Sequence, residues 1–215
     1  MLRSLHQSLA YSLTAILLVA CKSYQLTGVK PVSGSEKMVE NLYFSSPEDY
    51  VYKCQMDIYN NHVSGILIIK KINETTHRVA LTSDFGNKLI DFEISGQDFK
   101  LNYVLPDLDK KIVINFLKND FRQLLKKQYP VSESFENEKA RIYLSKEDRK
   151  NYYLFFDKEN NLLQQIVYTK NNREKIDFTF EAKKHIFADS LHLMHKDFKI
   201  NINLFKITET QADSN

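Results

Sequence analysis

The sequence predicts an α+β fold: a strongly curled antiparallel sheet, forming an incomplete β-barrel, with a helix covering its open side. Three observations predict it. Apolar residues alternate with period two in segment after segment from about residue 47 onward. The joints between these segments, such as "SGQD", "DKENN" and "TKNNRE", are short and polar, as a meander of hairpins requires. One central stretch, 108–127, switches to helical spacing. About ten strands are expected, too many to stay flat.

The chain begins with a segment that is not part of this pattern. Residues 1–20 hold one basic residue, Arg3, no acid, and an apolar run from Leu13 to Ala20, which reads as a secretory signal peptide. The run is far short of the ~20 residues that span a bilayer. It ends in Leu18-Val19-Ala20-Cys21, which resembles the bacterial lipobox. That resemblance implies that Cys21 becomes the first residue after cleavage and is lipidated. The other cysteine, Cys54, then has no partner and reads as a small buried apolar side chain. Residues 21–46, with "KSYQLTGVKPVSGSEK", read as a flexible tether, 47–209 as the folded domain, and 210–215 as a disordered tail.

Within the domain, "KLIDFEI" sets Ile90, Phe92 and Ile94 against Leu89, Asp91 and Glu93, and "FKLNY" sets Phe99, Leu101 and Tyr103 on one face. "KIDFTFEA" sets Ile176, Phe178 and Phe180 together, and "FKININL" does so for Phe198, Ile200, Ile202 and Leu204. The central helix carries Leu108, Ile112, Val113, Phe116, Leu117, Phe121, Leu124 and Leu125 on one stripe. Asp107 or Asp109 is expected to cap its start, Lys126 and Lys127 suit its C-terminal end, and Pro130 stops it.

Catalytic parts are scarce. There are five glycines, no phosphate-cradling loop and no serine at a strand-to-helix elbow, so no enzyme and no cofactor are expected. His185, His192 and His195 are read as exposed strand and turn histidines rather than as a metal site, with His192 and His195 on opposite faces. Net charge is +3 with both signs interspersed, which gives no nucleic-acid stripe. The apolar bulk is aromatic, with 14 Phe and 12 Tyr. That composition suits both a packed core and a hollow that takes an acyl chain.

The phrase "RVALTSDFGNKLIDFEI" places Phe85 in a hairpin tip among Ser83, Asp84, Gly86, Asn87 and Lys88, all turn-forming or polar. A Phe there has no core to join unless the loop folds back. A strand, this short loop and another alternating strand resemble the family of outer-membrane lipoprotein receptors, LolB. "VSGILIIKK", the 108–127 helix, "NNLLQQIVYTKNNREKIDFTFE" and "FADSLHLMHKDFKININLFKI" resemble the same family over roughly 50–207.

The resemblance implies a half-barrel with a helical lid over an apolar cavity. It also implies acceptance of acylated lipoproteins from a soluble periplasmic LolA-like carrier, and their release into the outer membrane. The protein would be a lipid-anchored monomer on the periplasmic face of that membrane, with acyl chains and membrane lipids as partners and no nucleic acid. The loop Asp84, Phe85 and Gly86 would insert into lipid, and Asp84, where the family often has proline, implies a less rigid loop. Candidate cavity-lining residues are Ile66, Ile68, Ile90, Phe92, Ile94, Leu101, Phe116, Phe121, Phe178, Phe180, Ile200 and Ile202. The alternatives are a tethered lipoprotein that holds a hydrophobic ligand without transferring it, and a structural envelope lipoprotein with a solid core.

Overall fold

The computed structural model describes residues 23–59 and 61–207. Cys21, the signal segment and the 210–215 tail lie outside the described residues. Among the described residues there are fifteen strands, one α-helix and a short 3₁₀ turn at Pro106–Leu108.

Strands β1 (Lys30–Val32) and β2 (Met38–Glu40) come first. The run β3 (Tyr50–Ile58), β4 (Asn61–Lys71), β5 (Thr76–Ser83), β6 (Lys88–Ser95) and β7 (Asp98–Val104) follows. Helix α1 (Lys111–Leu124) leads to the short strands β8 (Gln128–Pro130) and β9 (Glu133–Glu136). The second run is β10 (Ala140–Glu147), β11 (Lys150–Asp157), β12 (Leu163–Lys170), β13 (Arg173–Glu181), β14 (Ser190–His195) and β15 (Ile200–Lys206).

Thirteen of these form one antiparallel sheet in the order β1-β9-β10-β11-β12-β13-β14-β15-β3-β4-β5-β6-β7, with β1 and β7 as its two edges, so the sheet is not closed. The two meanders are joined by pairing of the last strand with β3, Ile200 opposite Ile58 and Leu204 opposite Cys54. Strands β2 and β8 form a separate two-stranded ribbon.

Cross-strand register builds one continuous apolar face. Val79 lies opposite Phe92, Leu67 opposite Leu81, Leu193 opposite Phe178 and Ile202, and Leu154 opposite Ile166. Phe178, Phe180, Ile200, Ile202, Ile90, Phe92 and Ile94 are all buried there, as is the free thiol of Cys54, whose titration burial pushes up to about 12. The apolar stripe of α1, namely Val113, Phe116, Leu117, Phe121 and Leu124, is buried against this face. Phe121 packs edge-on to Phe92, with ring centroids 5.3 Å apart.

Several expectations need correction. The helix is shorter than 108–127, because Pro106 fixes a 3₁₀ turn ahead of it and Lys110 occupies its N-cap without a side-chain cap; neither Asp107 nor Asp109 serves. Ile66 and Ile68 point away from the apolar face, since Leu67 and Ile69 occupy it; "ILII" is apolar in both phases and so carries no alternation signal. Leu101 stands on an edge strand and is 37% exposed. A register shift between Asp91 and Phe92 breaks the face shared by Phe99, Leu101 and Tyr103, so that Leu101 pairs with Phe92 while Tyr103 pairs with Asp91. Asp91, expected on the wet face, is buried and grips Arg78 through two hydrogen bonds of 2.9 and 2.7 Å.

The stretch expected as a tether is docked onto the domain from Ser23. Tyr24 packs on Tyr153, β1 pairs with β9, β2 pairs with β8, and Tyr43 and Phe44 enter the core. Tyr43 donates its hydroxyl to the Leu163 carbonyl at 2.9 Å, and the Phe44 ring sits 5.2 Å from that of Tyr50. Two bulky aromatics in an otherwise polar run are the physical reason: left outside, their area would stay wet. Phe44→Ala is therefore expected to destabilise the fold by about 3–5 kcal/mol, as a large-to-small core change does. Urea denaturation measures this, and a loss within ~0.5 kcal/mol, the range of exposed sites, would show that the segment is not part of the core.

Candidate functional site

Every neighbouring pair in the two meanders is antiparallel. The turns β3–β4, β5–β6, β10–β11, β12–β13 and β14–β15 therefore lie at one end of the sheet. The exposed β5–β6 hairpin tip lies at that end, and so do the β12–β13 and β14–β15 turns that border a pocket, which Gln97 of the β6–β7 turn borders from the other end.

The tip is the β5–β6 connection. Gly65 on β4 opens the way to it: a β-carbon there would stand 1.8 Å from the Thr82 carbonyl oxygen, so only glycine lets β5 approach as it shifts register at Leu81 and Thr82. The turn closes through Ser83 N–H to the Asn87 carbonyl (2.8 Å) and Gly86 N–H to the Ser83 carbonyl (2.9 Å). Gly86 takes φ +82°, in the left-handed region that a side chain disfavours. Asp84 accepts from Lys53 Nζ and from Ser64 Oγ (3.1 Å), and the Lys53 ammonium holds its carboxyl below the ordinary carboxylate range. These bonds tie the loop down where a proline would have stiffened it by fixing φ. Phe85 is left 93% exposed.

The pocket, about 710 Å³, lies between α1 and the strands β12 to β15. Phe116, Tyr168, Ile176, Ile200 and the half-exposed Ile112 and Phe198 give it apolar walls. Its mouth is cationic, with Lys111, Arg122, Lys150, Lys170 and Lys175, the last paired with Asp197 at 2.5 Å.

Its floor holds a buried hydrogen-bonded pair: His195 Nε2 lies 2.6 Å from Asp120 Oδ2. The His195 ring contacts the rings of Phe116 (5.0 Å) and Phe198 (5.9 Å). Asp120 is 1% exposed, and its other oxygen, Oδ1, has no hydrogen-bond partner among the described residues.

Of the proposed lining residues, Phe116 and Ile200 border this pocket. Ile90, Phe92, Ile94, Phe121, Phe178, Phe180 and Ile202 lie in the packed interior beside it. Ile66, Ile68 and Leu101 belong to neither, as described above. His192 bonds Asn203 at 2.5 Å on the far face of β14, and His195, expected to be an exposed strand histidine, is instead largely covered at the pocket floor beside Asp120. No group of three or more His, Cys, Asp or Glu that could hold a metal occurs among the described residues. Sequence reasoning missed Asp120. The signal was present, because Asp120 falls in the helix stripe between Phe116 and Leu124, where an acid needs a buried partner.

No family model matches the chain, and no curated protein matches it. Among solved structures it is similar to a DUF1329 family protein from Desulfovibrio piger, at 8% identity over 76% of this chain and 85% of that one, with a TM-score of 0.45. It is similar to a domain from Vibrio parahaemolyticus named for outer membrane lipoprotein sorting, at 8% identity over 79% and 88%, with a TM-score of 0.46. A LolA superfamily protein from Nitrosomonas europaea is 6% identical over 74% and 83%, with a TM-score of 0.49. All three are distant likenesses.

Burial pushes the Asp120 carboxyl up to about 6, against the lowering influence of the His195 hydrogen bond. The folded state then holds this proton more tightly than the unfolded chain does. The resulting stabilisation is complete below about pH 4 and is lost as pH rises through about 6. Asp120→Asn has no proton to lose. Between about pH 4 and 6.5 the wild type should lose up to roughly 3 kcal/mol relative to that variant. Urea melts of both across this range check the sign; parallel curves would place Asp120 outside any linkage.

Proposed function

We propose that this chain is a lipid-anchored envelope protein that takes up acyl chains of lipoproteins beside α1 and passes them to the outer membrane through the Phe85 hairpin. Cys21 carries the anchor, a soluble periplasmic carrier supplies the cargo, and no chemical step is involved. The observation that carries the reading is Phe85, almost fully exposed on a turn tied down by the bonds of Asp84 to Lys53 and Ser64. An aromatic held out in water is unfavourable unless it meets an apolar phase, and Lys88 next to the turn suits anionic headgroups.

The reading also requires the sheet to wrap around α1 as a half-barrel. Strands β6 and β11 stand eight places apart in the sheet, about 38 Å if it were flat. Yet Phe121 touches Phe92 on β6, while Gln123, two residues on, accepts the Tyr152 hydroxyl of β11 at 2.8 Å. Those two helix residues are only ~3 Å apart along the axis. Contacts so close on strands so distant support a curled sheet.

Transfer in this scheme is downhill. Each CH₂ left in water costs about 0.8 kcal/mol, so chains must pass from carrier to pocket to bilayer without exposure. A tethered protein that holds a hydrophobic ligand and transfers nothing would need the pocket but not the exposed Phe85, and the hairpin favours transfer over holding.

The whole chain with Cys21→Ser, mixed with liposomes and a carrier loaded with labelled lipoprotein, is expected to move label into the liposomes. Phe85→Glu should draw label from the carrier yet deliver it about tenfold more slowly or worse, because the apolar contact with lipid is gone. Equal delivery by both forms would remove the hairpin from the mechanism, and failure of both to draw cargo would remove the transfer reading.

A further inference from the structure

We propose that one rim of the sheet is a docking face for an anionic lipid bilayer, and that the domain rests by this rim on the membrane holding its own anchor. The second half rests on the reading of Cys21 as the anchor; the first stands without it.

The rim is continuous. The turns β10–β11, β12–β13, β14–β15 and β3–β4 lie side by side at one end of the sheet. Backbone bonds lace them together: Asn171 N–H donates to the Arg149 carbonyl at 2.8 Å, Lys196 N–H to the Lys175 carbonyl at 3.0 Å, and Tyr59 N–H to the Lys199 carbonyl at 2.7 Å. The Phe85 hairpin shares this end but is set back along β4, because Ser83 pairs with Gly65 while Asn61 pairs with Ile58. The rim does not include it.

The side chains of the rim suit a head-group layer. Tyr59 and Phe198 stand at turns and are each 47% exposed. Tyr59 holds φ +55°, a left-handed conformation that Asn171 and Asn172 adopt readily two turns away and a bulky side chain does not. A ring kept there, half in water, gains where it can enter a membrane interface.

Charge points the same way. Arg149, Lys170 and Lys199 are exposed and have no ion-pair partner among the described residues. The acids of the rim are mostly engaged: Asp197 pairs Lys175 at 2.5 Å, Glu174 pairs Lys196 at 3.2 Å, Asp57 pairs His62 at 2.8 Å and Glu147 pairs Lys126, which leaves Asp148. At the opposite end Lys71 pairs Glu74 and Lys158 pairs Glu136, while Glu138 and Glu159 offset Lys183 and Lys184. The exposed apolar side chains there, Ile72 and Ile186, are aliphatic.

The path of the chain selects a bilayer among anionic partners. Ser23 Oγ–H and Tyr24 N–H both donate to the Asn172 carbonyl, at 3.3 and 2.7 Å, and the Tyr24 ring packs 4.8 Å from that of Tyr153. From there the segment runs away from the rim, until Lys30 pairs with Glu136. Two residues of chain reach about 7 Å at most. An acylated Cys21 therefore brings its lipid to this rim.

The test uses the lipoprotein purified from membranes and held by its anchor in vesicles of equimolar phosphatidylcholine and phosphatidylglycerol that contain doxyl lipid. A fluorophore is placed at Asn61→Cys beside the rim or at Ile186→Cys at the opposite end; Cys54 is buried and does not compete for it. Doxyl lipid is expected to quench the label at 61 and to spare the label at 186. Arg149→Gln with Lys199→Gln, neither of which borders the pocket, should lower the ratio of docked to undocked domain about thirtyfold, as two cations near an anionic leaflet imply. Lys183→Gln with Lys184→Gln, the same charge change at the opposite end, should leave it unaltered, and Tyr59→Asn, which suits the left-handed turn, should lower it.

Equal quenching at 61 and 186, or equal effects of the two charge changes, overturns the docking face. A mass spectrum without acyl chains on Cys21 overturns the anchor reading instead. The whole chain carrying Cys21→Ser, added to the same vesicles, then tests the rim alone, and loss of the quenching difference between 61 and 186 overturns it. Delivery of labelled lipoprotein that fails while the rim still docks counts against the transfer reading and not against this one.

Discussion

Among the described residues, a single fourteen-residue helix has to keep dry the apolar face of a sheet of thirteen strands. Hydrophobic burial drives α1 onto the sheet, but burial is non-directional and does not fix where along so wide a face the helix rests. Polar contacts fix it. Asp120 bonds His195 of β14, Gln123 accepts from Tyr152 of β11, and Arg122 donates to the carbonyls of Gly96 and Gln97 at 3.0 and 2.7 Å. At its C-terminal end, Asn41 donates to the otherwise orphaned Leu124 carbonyl at 3.0 Å. The helix is thereby tied to both halves of the sheet and to the N-terminal segment. Each of these bonds is worth little on its own, but together they choose one seating among many that burial alone would allow.

The N-terminal segment follows from the same constraint. One helix cannot cover all of that face, and Tyr43 and Phe44 supply the missing cover beside Tyr50, Tyr52 and Phe180. Tyrosine suits this duty because its hydroxyl can reach a backbone carbonyl at the margin of the core, as Tyr43 does at Leu163 and Tyr52 at Ala188. If Cys21 bears an anchor, the leash between lipid and domain is then far shorter than 26 residues of free chain, since the path is bound from Ser23 onward.

The strands whose two faces differ were legible in the sequence. "KIDFTFEA" and, from Ile200 on, "FKININL" could be read because charge or amide alternates with hydrocarbon, whereas Phe198, expected on the same dry face, precedes the strand and is 47% exposed; "SDFGNK" could be read because every neighbour of Phe85 prefers a turn. Legibility failed where the local signal is degenerate. "ILII" is apolar in both phases, so the inward pair was misassigned to Ile66 and Ile68. The bulge at Asp91 and Phe92 shifts β7 by one residue without any Gly or Pro to announce it. The floor of the pocket could not be assembled either, because Asp120 and His195 are 75 residues apart and only the folded sheet brings them together. A helix-face acid does signal a missing partner, but nothing local says which histidine it is.

Parity of the topology links the two halves of the candidate site. In an antiparallel sheet, successive turns alternate between ends, so the end reached by the β5–β6 turn is set by counting strands. From β14–β15 through the β15–β3 pairing, the count places Phe85, the turn at Phe198 and the lysines of β12–β13 at one end. The opposite end receives β4–β5, β6–β7 and β13–β14. One strand more or fewer between them would have put the exposed aromatic and the turn at Phe198 at opposite ends of the sheet. As built, the Phe85 tip shares an end with the lysines of β12–β13 that border the pocket, while Gln97 and the carbonyls held by Arg122 close the pocket from the other end.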